Sequence, residues 1–138
     1  QPVTRADFEG MLAAKDTARV RFAKAMLHRM DERQPMTTVP YPVQAFRLAD
    51  GLVLVALGGE VVVEYDLQLK AANPKTHLIV AGYSNDVMGY IPTAKMLSEG
   101  GYEPVASTIY YGQAAPFSPD IEKMILETAN AAIRKVKP

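Results

Sequence analysis

Apolar residues recur at helical spacing near the N-terminus, between residues 8 and 30. Thr4, with Asp7 three positions later, has the pattern of a variant capping box, so the sequence predicts helix over residues 4–32. The Lys-Asp-Thr run at residues 15–17 interrupts this pattern, because Asp and Thr favour helix caps over helix interiors. The region is therefore either one bent helix or two separate helices.

Three further helices are predicted downstream. One covers residues 61–72 and ends at an Asn-Pro pair, and a short one covers residues 93–99 and ends at a Gly-Gly pair. The last has Ser118 as its cap and Pro119 in its first position. Apolar residues then recur on one side of this helix as far as residue 136.

Shorter apolar runs predict strands between these helices. Residues 43–48 and 52–57 flank a turn and predict a hairpin, whose second strand is a continuous apolar run and so is buried. Residues 78–82 predict another buried strand, and the β-branched and aromatic residues at 106–111 predict a fourth. Three prolines make residues 34–42 a connector.

Because strands alternate with helices, we expect one α/β domain over residues 1–138, with a mixed, partly parallel sheet and helices packed on it. A length of 138 residues and an apolar fraction of 49% fit a single core. The chain begins with Gln1 rather than Met, so we expect a processed product or a piece of a longer protein.

Composition excludes several classes of function. Lys plus Arg and Asp plus Glu are 15 each, so no uniform field attracts nucleic acid, and we expect no nucleic-acid partner. No apolar run approaches the roughly 20 residues that cross a bilayer, so we expect a soluble chain without a transmembrane segment. The chain has no cysteine, which removes disulfides, thiolate nucleophiles and cysteine metal sites.

Polar residues follow two of the predicted strands. Glu60 comes after the strand at 52–57 and a double glycine, and residues 84–90, which end in Tyr90, come after the strand at 78–82. Because the carboxyl ends of parallel strands meet at one edge of a sheet, we expect these residues to be neighbours. Carboxylate, amide and phenol oxygens suit a hard or borderline cation, or the orientation of a carbonyl group.

Each of these residues also has a simpler structural interpretation. Glu60 fits the first turn of the following helix, where a negative charge is favoured. Asn85 and Asp86 fit turn chemistry, and the tyrosines fit half-buried packing with a solvated hydroxyl. His28 and His77 have no partner at ligand spacing, which favours structural or exposed roles over metal binding.

Five short motifs resemble, in order and spacing, the neutral/alkaline non-lysosomal ceramidase family. The clear matching covers roughly residues 42 to 112. The chain departs from the family pattern at Gly58, where proline is usual, at Pro92, where threonine is usual, and at residues 87–88, where a tyrosine is common. Tyr111 extends the last motif. The motifs are Gly59-Glu60, Gly82-Tyr83-Ser84-Asn85, Gly89-Tyr90-Ile91-Pro92-Thr93, Gly101-Tyr102-Glu103 and Ala106-Ser107-Thr108-Ile109-Tyr110.

The resemblance implies roles for three residues. In that family a glutamate in the turn after a buried strand and a tyrosine in a Tyr-Ile-Thr-Thr-like segment bind zinc, which makes Glu60 and Tyr90 the corresponding ligands here. A family tyrosine in a Tyr-Glu pair hydrogen-bonds at the reacting amide, and it matches Tyr102. Two histidines of an N-terminal half complete the zinc site in the family, and neither His28 nor His77 lies in a matching context.

The resemblance therefore implies the C-terminal part of a longer ceramidase-like, zinc-dependent hydrolase that cleaves an N-acyl amide of the ceramide type. Catalytic zinc generally has three or more protein ligands, so we expect residues 1–138 alone to bind zinc weakly and to be inactive as an amidase. The alternative, from a different class, is a non-catalytic α/β binding or structural/interaction domain. The compartment stays open, and a secreted or periplasmic location fits the family.

Overall fold

The computed structural model describes residues 3–34 and 37–137. Part of the predicted connector at 34–42 lies outside the described residues. Among those that are described, no helix is both long enough and apolar enough to cross a membrane. The elements in chain order are α1 (Arg5–Met11), α2 (Thr17–Asp31), β1 (Val43–Ala49), β2 (Leu52–Leu57), β3 (Glu60–Val61), α3 (Val63–Ala72), β4 (His77–Ala81), β5 (Tyr90–Ile91), α4 (Ala94–Glu99), a 3₁₀ helix (Ala106–Ile109) and α5 (Ile121–Val136).

The N-terminal region forms two helices rather than one bent helix. Thr4 and Asp7 form the predicted capping box, and the carboxylate of Asp16 accepts a hydrogen bond from the backbone N–H of Ala18 at the start of α2. These caps satisfy N–H groups that have no partner inside the helix, so a second helix can begin at Thr17. The two helices pack together around the rings of Phe8 and Phe22, whose centroids are 5.8 Å apart.

A three-stranded sheet lies at the centre of the fold, in the order β1-β2-β4. β1 and β2 form the predicted antiparallel hairpin, and β2 pairs with β4 in parallel. The parallel pair is connected through α3, as a parallel connection needs a crossover. The predicted class, an α/β fold with a mixed sheet and packed helices, is thereby confirmed.

Helices α3 and α5 cover one face of this sheet. Apolar side chains from alternate positions of β2 and β4 meet apolar side chains of the two helices, and together with Met88 and Ile91, from the loop before β5 and from β5 itself, they form the main core. Its buried members are Val53, Val55, Leu57, Tyr65, Leu69, Leu78, Met88, Ile91, Ile125, Ala129 and Ile133.

The opposite face of the sheet is open. Phe46, Leu54 and Ile79 are aligned across the three strands by the register of pairing, so their side chains share one face. Phe46 and Ile79 are 45% and 48% exposed. Parallel strands are normally covered on both faces, so this apolar row is an unusual feature of the surface.

A second, two-stranded ribbon lies beyond the end of β2. β3 pairs with β5 in parallel, and this pairing delays the start of α3 to Val63, two residues later than predicted. The predicted short helix at 93–99 is confirmed as α4, because the Thr93 hydroxyl accepts a hydrogen bond from Met96 N and Gly100 ends the helix with a φ of 75°. The ribbon therefore joins the carboxyl end of β2 to the segment that precedes α4.

The prediction of a strand at residues 106–111 is wrong, because Ala106–Ile109 forms a 3₁₀ helix. The hydroxyl of Ser107 donates to the carbonyl of Glu103, and the hydroxyl of Thr108 donates to the carbonyl of Val105. Such local side-chain bonds favour a turn over a sheet ladder. Ser107 and Thr108 are buried in this turn, so their tertiary environment outweighs their strand propensity.

The last helix starts later than its sequence signals predict. Its N-cap is Asp120 rather than Ser118, and Pro119 precedes the cap. The carbonyl of Ser118 accepts a hydrogen bond from Ile121 N, and its hydroxyl accepts a long one, 3.4 Å, from Asp120 N. Ser118 and Pro119 thus form the turn that leads into α5 instead of its first residues.

Candidate functional site

The backbone holds Glu60 at a fixed place beside the loop after β4. Gly59 adopts a φ of 71°, which glycine tolerates because it has no Cβ. Its N–H donates to the carbonyl of Asp86, and the N–H of Glu60 donates to the carbonyl of Gly89, both at 2.8 Å. A Cβ on Gly59 would lie 2.7 Å from the side chain of Ile91, so only glycine allows this approach.

The ribbon places Glu60 directly opposite Tyr90, since the two residues are partners in the parallel β3–β5 pairing. Tyr102 packs edge to face against Tyr90 with ring centroids 6.0 Å apart, and its own side chain is 52% exposed. The three residues implied by the family resemblance therefore lie next to one another. Glu60 belongs to β3, and the first turn of α3 contains Glu64 and Asp66, so the helix-turn interpretation of Glu60 is wrong.

A groove of about 330 Å³ opens beside this ribbon. None of the described residues that line it is basic, so its electrostatics favour a cation over an anion. Its polar and aromatic lining consists of Glu60, Glu64, Glu103, Tyr83 and Tyr90, with Met96 beside them.

Two further tyrosines contact the carboxylate of Glu60. The hydroxyl of Tyr83 donates to Oε2 at 2.8 Å, and the hydroxyl of Tyr111 donates to Oε1. These hydrogen bonds lower the pKa of Glu60 below its ordinary value, and the bond from Tyr111 has the largest effect. The same contact with Glu60 raises the pKa of Tyr111 to about 12 and raises the pKa of Tyr83 and of Tyr90. Glu60 is consequently an anion at neutral pH, surrounded by protonated phenols.

Other polar residues of the predicted site serve the loop instead. The side chain of Asn85 donates to Gln44, and the carboxylate of Asp86 accepts from Val87 N, which is turn chemistry. The hydroxyl of Ser84 donates to the carbonyl of Ala81. Asp86 also accepts a backbone hydrogen bond from Gly59 next to Glu60, and neither Asn85 nor Asp86 is among the residues that line the groove.

The two histidines have the structural or exposed roles that their sequence context favoured. His28 pairs with Glu32 on the exposed surface of α2, with nitrogen and oxygen 3.2 Å apart. His77 is exposed at the start of β4, whereas the Glu60 ribbon follows the carboxyl end of β2. Across residues 3–34 and 37–137, no three His, Asp or Glu side chains come together in a way that could hold a metal ion.

Sequence reasoning missed Tyr83 and Tyr111 as contacts of Glu60. Tyr83 follows the end of β4 directly after Gly82, and this position at a strand end was an available signal. Tyr111 gave no comparable signal, because 51 residues separate it from Glu60 and its direction depends on the 3₁₀ turn.

Comparisons with known proteins give no second source of evidence. No protein-family model, no curated protein and no solved structure matches this chain. The ceramidase resemblance therefore rests on the five motifs alone and stays a prediction. The class that the structure itself defines is an α/β domain with a carboxylate and tyrosine site at the end of its parallel strands.

Proposed function

We propose that this chain is the C-terminal part of the catalytic region of a zinc-dependent, ceramidase-like hydrolase that cleaves an N-acyl amide. In this proposal Glu60 and Tyr90 are metal ligands, and Tyr102 contacts the reacting amide. The observation that carries the proposal is the pairing of Glu60 with Tyr90 across the β3–β5 ribbon, at the edge of an acidic groove.

The donor set of the described residues fits part of a zinc site. A carboxylate and a phenol face one groove, and carboxylate oxygen is a common zinc ligand. Two ligands are fewer than catalytic zinc generally has, so the remaining ones come from elsewhere in the complete protein, where the resemblance implies two histidines. When bound, zinc supplies Lewis-acid activation of the amide carbonyl and of water at neutral pH.

In this proposal the chain's own residues supply a negative charge for the metal and a hydrogen-bond donor for the substrate. The Glu60 carboxylate provides the negative charge, and the tyrosine hydroxyls that donate to it stabilise the ionised form and lower the pKa of Glu60. Tyr102 lies against Tyr90 and is half exposed, so its hydroxyl can donate to an oxygen that gains charge during amide cleavage. Loss of one such donor typically lowers the rate by ~10²–10³.

The test is a comparison of Glu60→Gln, Tyr90→Phe and Tyr102→Phe in the longer protein that carries this segment. Zinc content and hydrolysis of a chromogenic N-acyl amide are measured for each variant. We expect Glu60→Gln and Tyr90→Phe to lose both zinc and hydrolysis. Tyr102→Phe is expected to keep its zinc and to lose ~10²–10³ in rate, as for a missing oxyanion donor.

The matched control is Glu64→Gln, which removes another carboxylate of the same groove from the first turn of α3. It is expected to keep zinc and most of the activity. Zinc content and hydrolysis that survive Glu60→Gln would contradict the proposal. So would strong amidase activity, sensitive to a chelator, from residues 1–138 alone.

The second candidate is a non-catalytic structural or interaction domain, and the open sheet face favours it. The apolar row of Phe46, Leu54 and Ile79 is aligned and partly exposed, as expected of a sheet that packs against another domain of the same protein. This candidate predicts that Glu60→Gln leaves the zinc content and the hydrolytic activity of the longer protein unchanged. Ile79→Lys, by contrast, would then weaken the packing of its two parts.

A further inference from the structure

The carboxylate of Glu60 is held from two sides of the site. Tyr83 comes from the loop after β4 and donates to Oε2, while Tyr111 comes from the segment after the 3₁₀ helix and donates to Oε1. The two donors belong to separate parts of the chain and each takes a different oxygen. A carboxylate with one fixed donor on each oxygen has little freedom to rotate.

Tyr83 has a strained backbone conformation. Its φ is 53°, in the left-handed region that non-glycine residues avoid, at a cost of about 1–3 kcal/mol. The conformation persists because Tyr83 N donates to the carbonyl of Gly59 at 2.8 Å and Ser84 N donates to that of Leu57 at 3.0 Å. These bonds tie Tyr83 to the segment that carries Glu60.

The position of Tyr111 is fixed by its neighbours. The backbone N–H of Gln113 donates to the carbonyl of Thr108, and its side-chain amide donates to the carbonyl of Met88. The ring of Tyr111 also packs perpendicular to that of Tyr90, with centroids 6.4 Å apart. The segment after the 3₁₀ helix is thereby tied to the loop that leads into β5.

The two hydrogen bonds leave Glu60 able to bind a cation. Each carboxylate oxygen has two lone pairs, and Tyr83 and Tyr111 use one on each oxygen. Tyr90, the other proposed ligand, also hydrogen-bonds this carboxylate, which leaves a lone pair for a cation on a side chain that lines an acidic groove. Partners that orient a metal ligand in this way typically change metal affinity by 10–100-fold when they are removed.

We propose that Tyr83 and Tyr111 are positioning residues, which fix the carboxylate of Glu60 as a cation ligand at the groove. The role as a cation ligand rests on the proposed function above, whereas the fixation of the carboxylate does not. The two statements are tested by separate measurements.

The experiment compares Tyr83→Phe, Tyr111→Phe and the double variant with the unchanged chain. Phenylalanine keeps each ring in place and removes only the oxygen that donates to Glu60. The first measurement is the NMR order of the Glu60 side chain, which we expect to fall in each single variant and furthest in the double variant. The second is a titration of the longer protein that carries this segment with Zn²⁺ alone, in which we expect the same substitutions to lower the affinity 10–100-fold.

The matched control is Tyr110→Phe, since Tyr110 is the neighbour of Tyr111 and is 62% exposed, outside the set of phenols on Glu60. It should change neither measurement. Unchanged order of Glu60 in the double variant would overturn the inference, and so would lost order with unchanged Zn²⁺ affinity. If the order falls but no form of the longer protein, unchanged or substituted, binds Zn²⁺, the fixation stands and Glu60 is not a metal ligand, which counts against the proposed function.

Discussion

Five of the seven tyrosines fall into a core group, Tyr41 and Tyr65, and a groove group, Tyr83, Tyr90 and Tyr111, and the two groups differ in what their hydroxyls contact. In the core, Tyr65 is fully buried and donates to the carbonyl of Pro92 at 3.0 Å, and Tyr41 donates to the carbonyl of Gly58 at 2.9 Å. Burial raises the pKa of both, because the charged phenolate loses its solvation. Their partners are neutral backbone groups.

In the groove group, the partner is a charge. Tyr83, Tyr90 and Tyr111 all have a raised pKa whose first cause is the hydrogen bond with Glu60, not burial. Removing a core hydroxyl leaves a buried carbonyl without a partner, whereas removing a groove hydroxyl changes how a carboxylate is held. We therefore expect core substitutions to affect mainly stability and groove substitutions to affect mainly the site.

Gly59→Ala tests the connection between the two groups most severely. Tyr65 bonds to Pro92, which directly follows β5, and Glu60 depends on the same β3–β5 pairing. An added Cβ would lie 2.7 Å from Ile91 and 2.8 Å from the carbonyl of Gly89, at a φ of 71°. Strain and overpacking together predict a loss of about 2–5 kcal/mol in the free energy of unfolding, measured with urea.

Gly51→Ala is the matched control for this substitution. Its φ is 72°, but nothing lies within 4 Å of its added Cβ. It is expected to lose only the strain of a left-handed residue, about 1–2 kcal/mol. Equal losses in the two variants would show that the close approach of Gly59 to β5 is not what holds the ribbon.

Tyr65→Phe has the next largest expected effect and tests the core group directly. The change leaves the carbonyl of Pro92 without its partner in a fully buried place, which predicts a loss of about 1–3 kcal/mol in unfolding free energy. Tyr111→Phe should lower the unfolding free energy less than Tyr65→Phe does, because water can reach the freed oxygen of the partly exposed Glu60. A larger loss from Tyr111→Phe than from Tyr65→Phe would reverse the assignment of the two groups.

Local signals were sufficient to predict most of the elements. The apolar runs of β2 and β4 and the capping box at Thr4 each act over a few residues, so the sequence shows them directly. The same reasoning failed at residues 106–111, where strand propensity was outweighed by the hydroxyl bonds of Ser107 and Thr108. Propensity is a weak guide wherever a side chain can satisfy the nearby backbone.

The site was predictable only as far as strand topology determined it. Glu60 and Tyr90 lie together because both follow strands whose carboxyl ends share an edge. The contact of Tyr111 with Glu60 depends on a 3₁₀ turn that the sequence did not indicate, and the contact of Tyr83 depends on a positive φ in a residue other than glycine. Such features are set by the whole fold rather than by neighbouring residues.

In the chain without zinc, Glu60→Gln has the smallest and most specific expected effect of these substitutions, a change in the titration of the groove tyrosines. The carboxylate raises their pKa, so a neutral amide should lower the pKa of Tyr83, Tyr90 and Tyr111 toward the ordinary 10.0 and leave Tyr41 and Tyr65 unchanged. NMR of the ring carbon that bears each hydroxyl measures this residue by residue. Equal shifts in both groups would show that Glu60 acts on the whole fold and would erase the distinction between them.

The same variant predicts two pH windows in stability. The lowered pKa of Glu60 stabilises the fold above its ordinary value near 4.5, and this contribution is lost as pH falls through the folded pKa. The raised pKa of Tyr111 stabilises the fold below 10.0, and this contribution is lost as pH rises through about 12. The difference in unfolding free energy between the unchanged chain and Glu60→Gln should therefore be flat at neutral pH and should decrease at both ends. A difference that does not change with pH would mean that the phenols do not interact with the charge of Glu60.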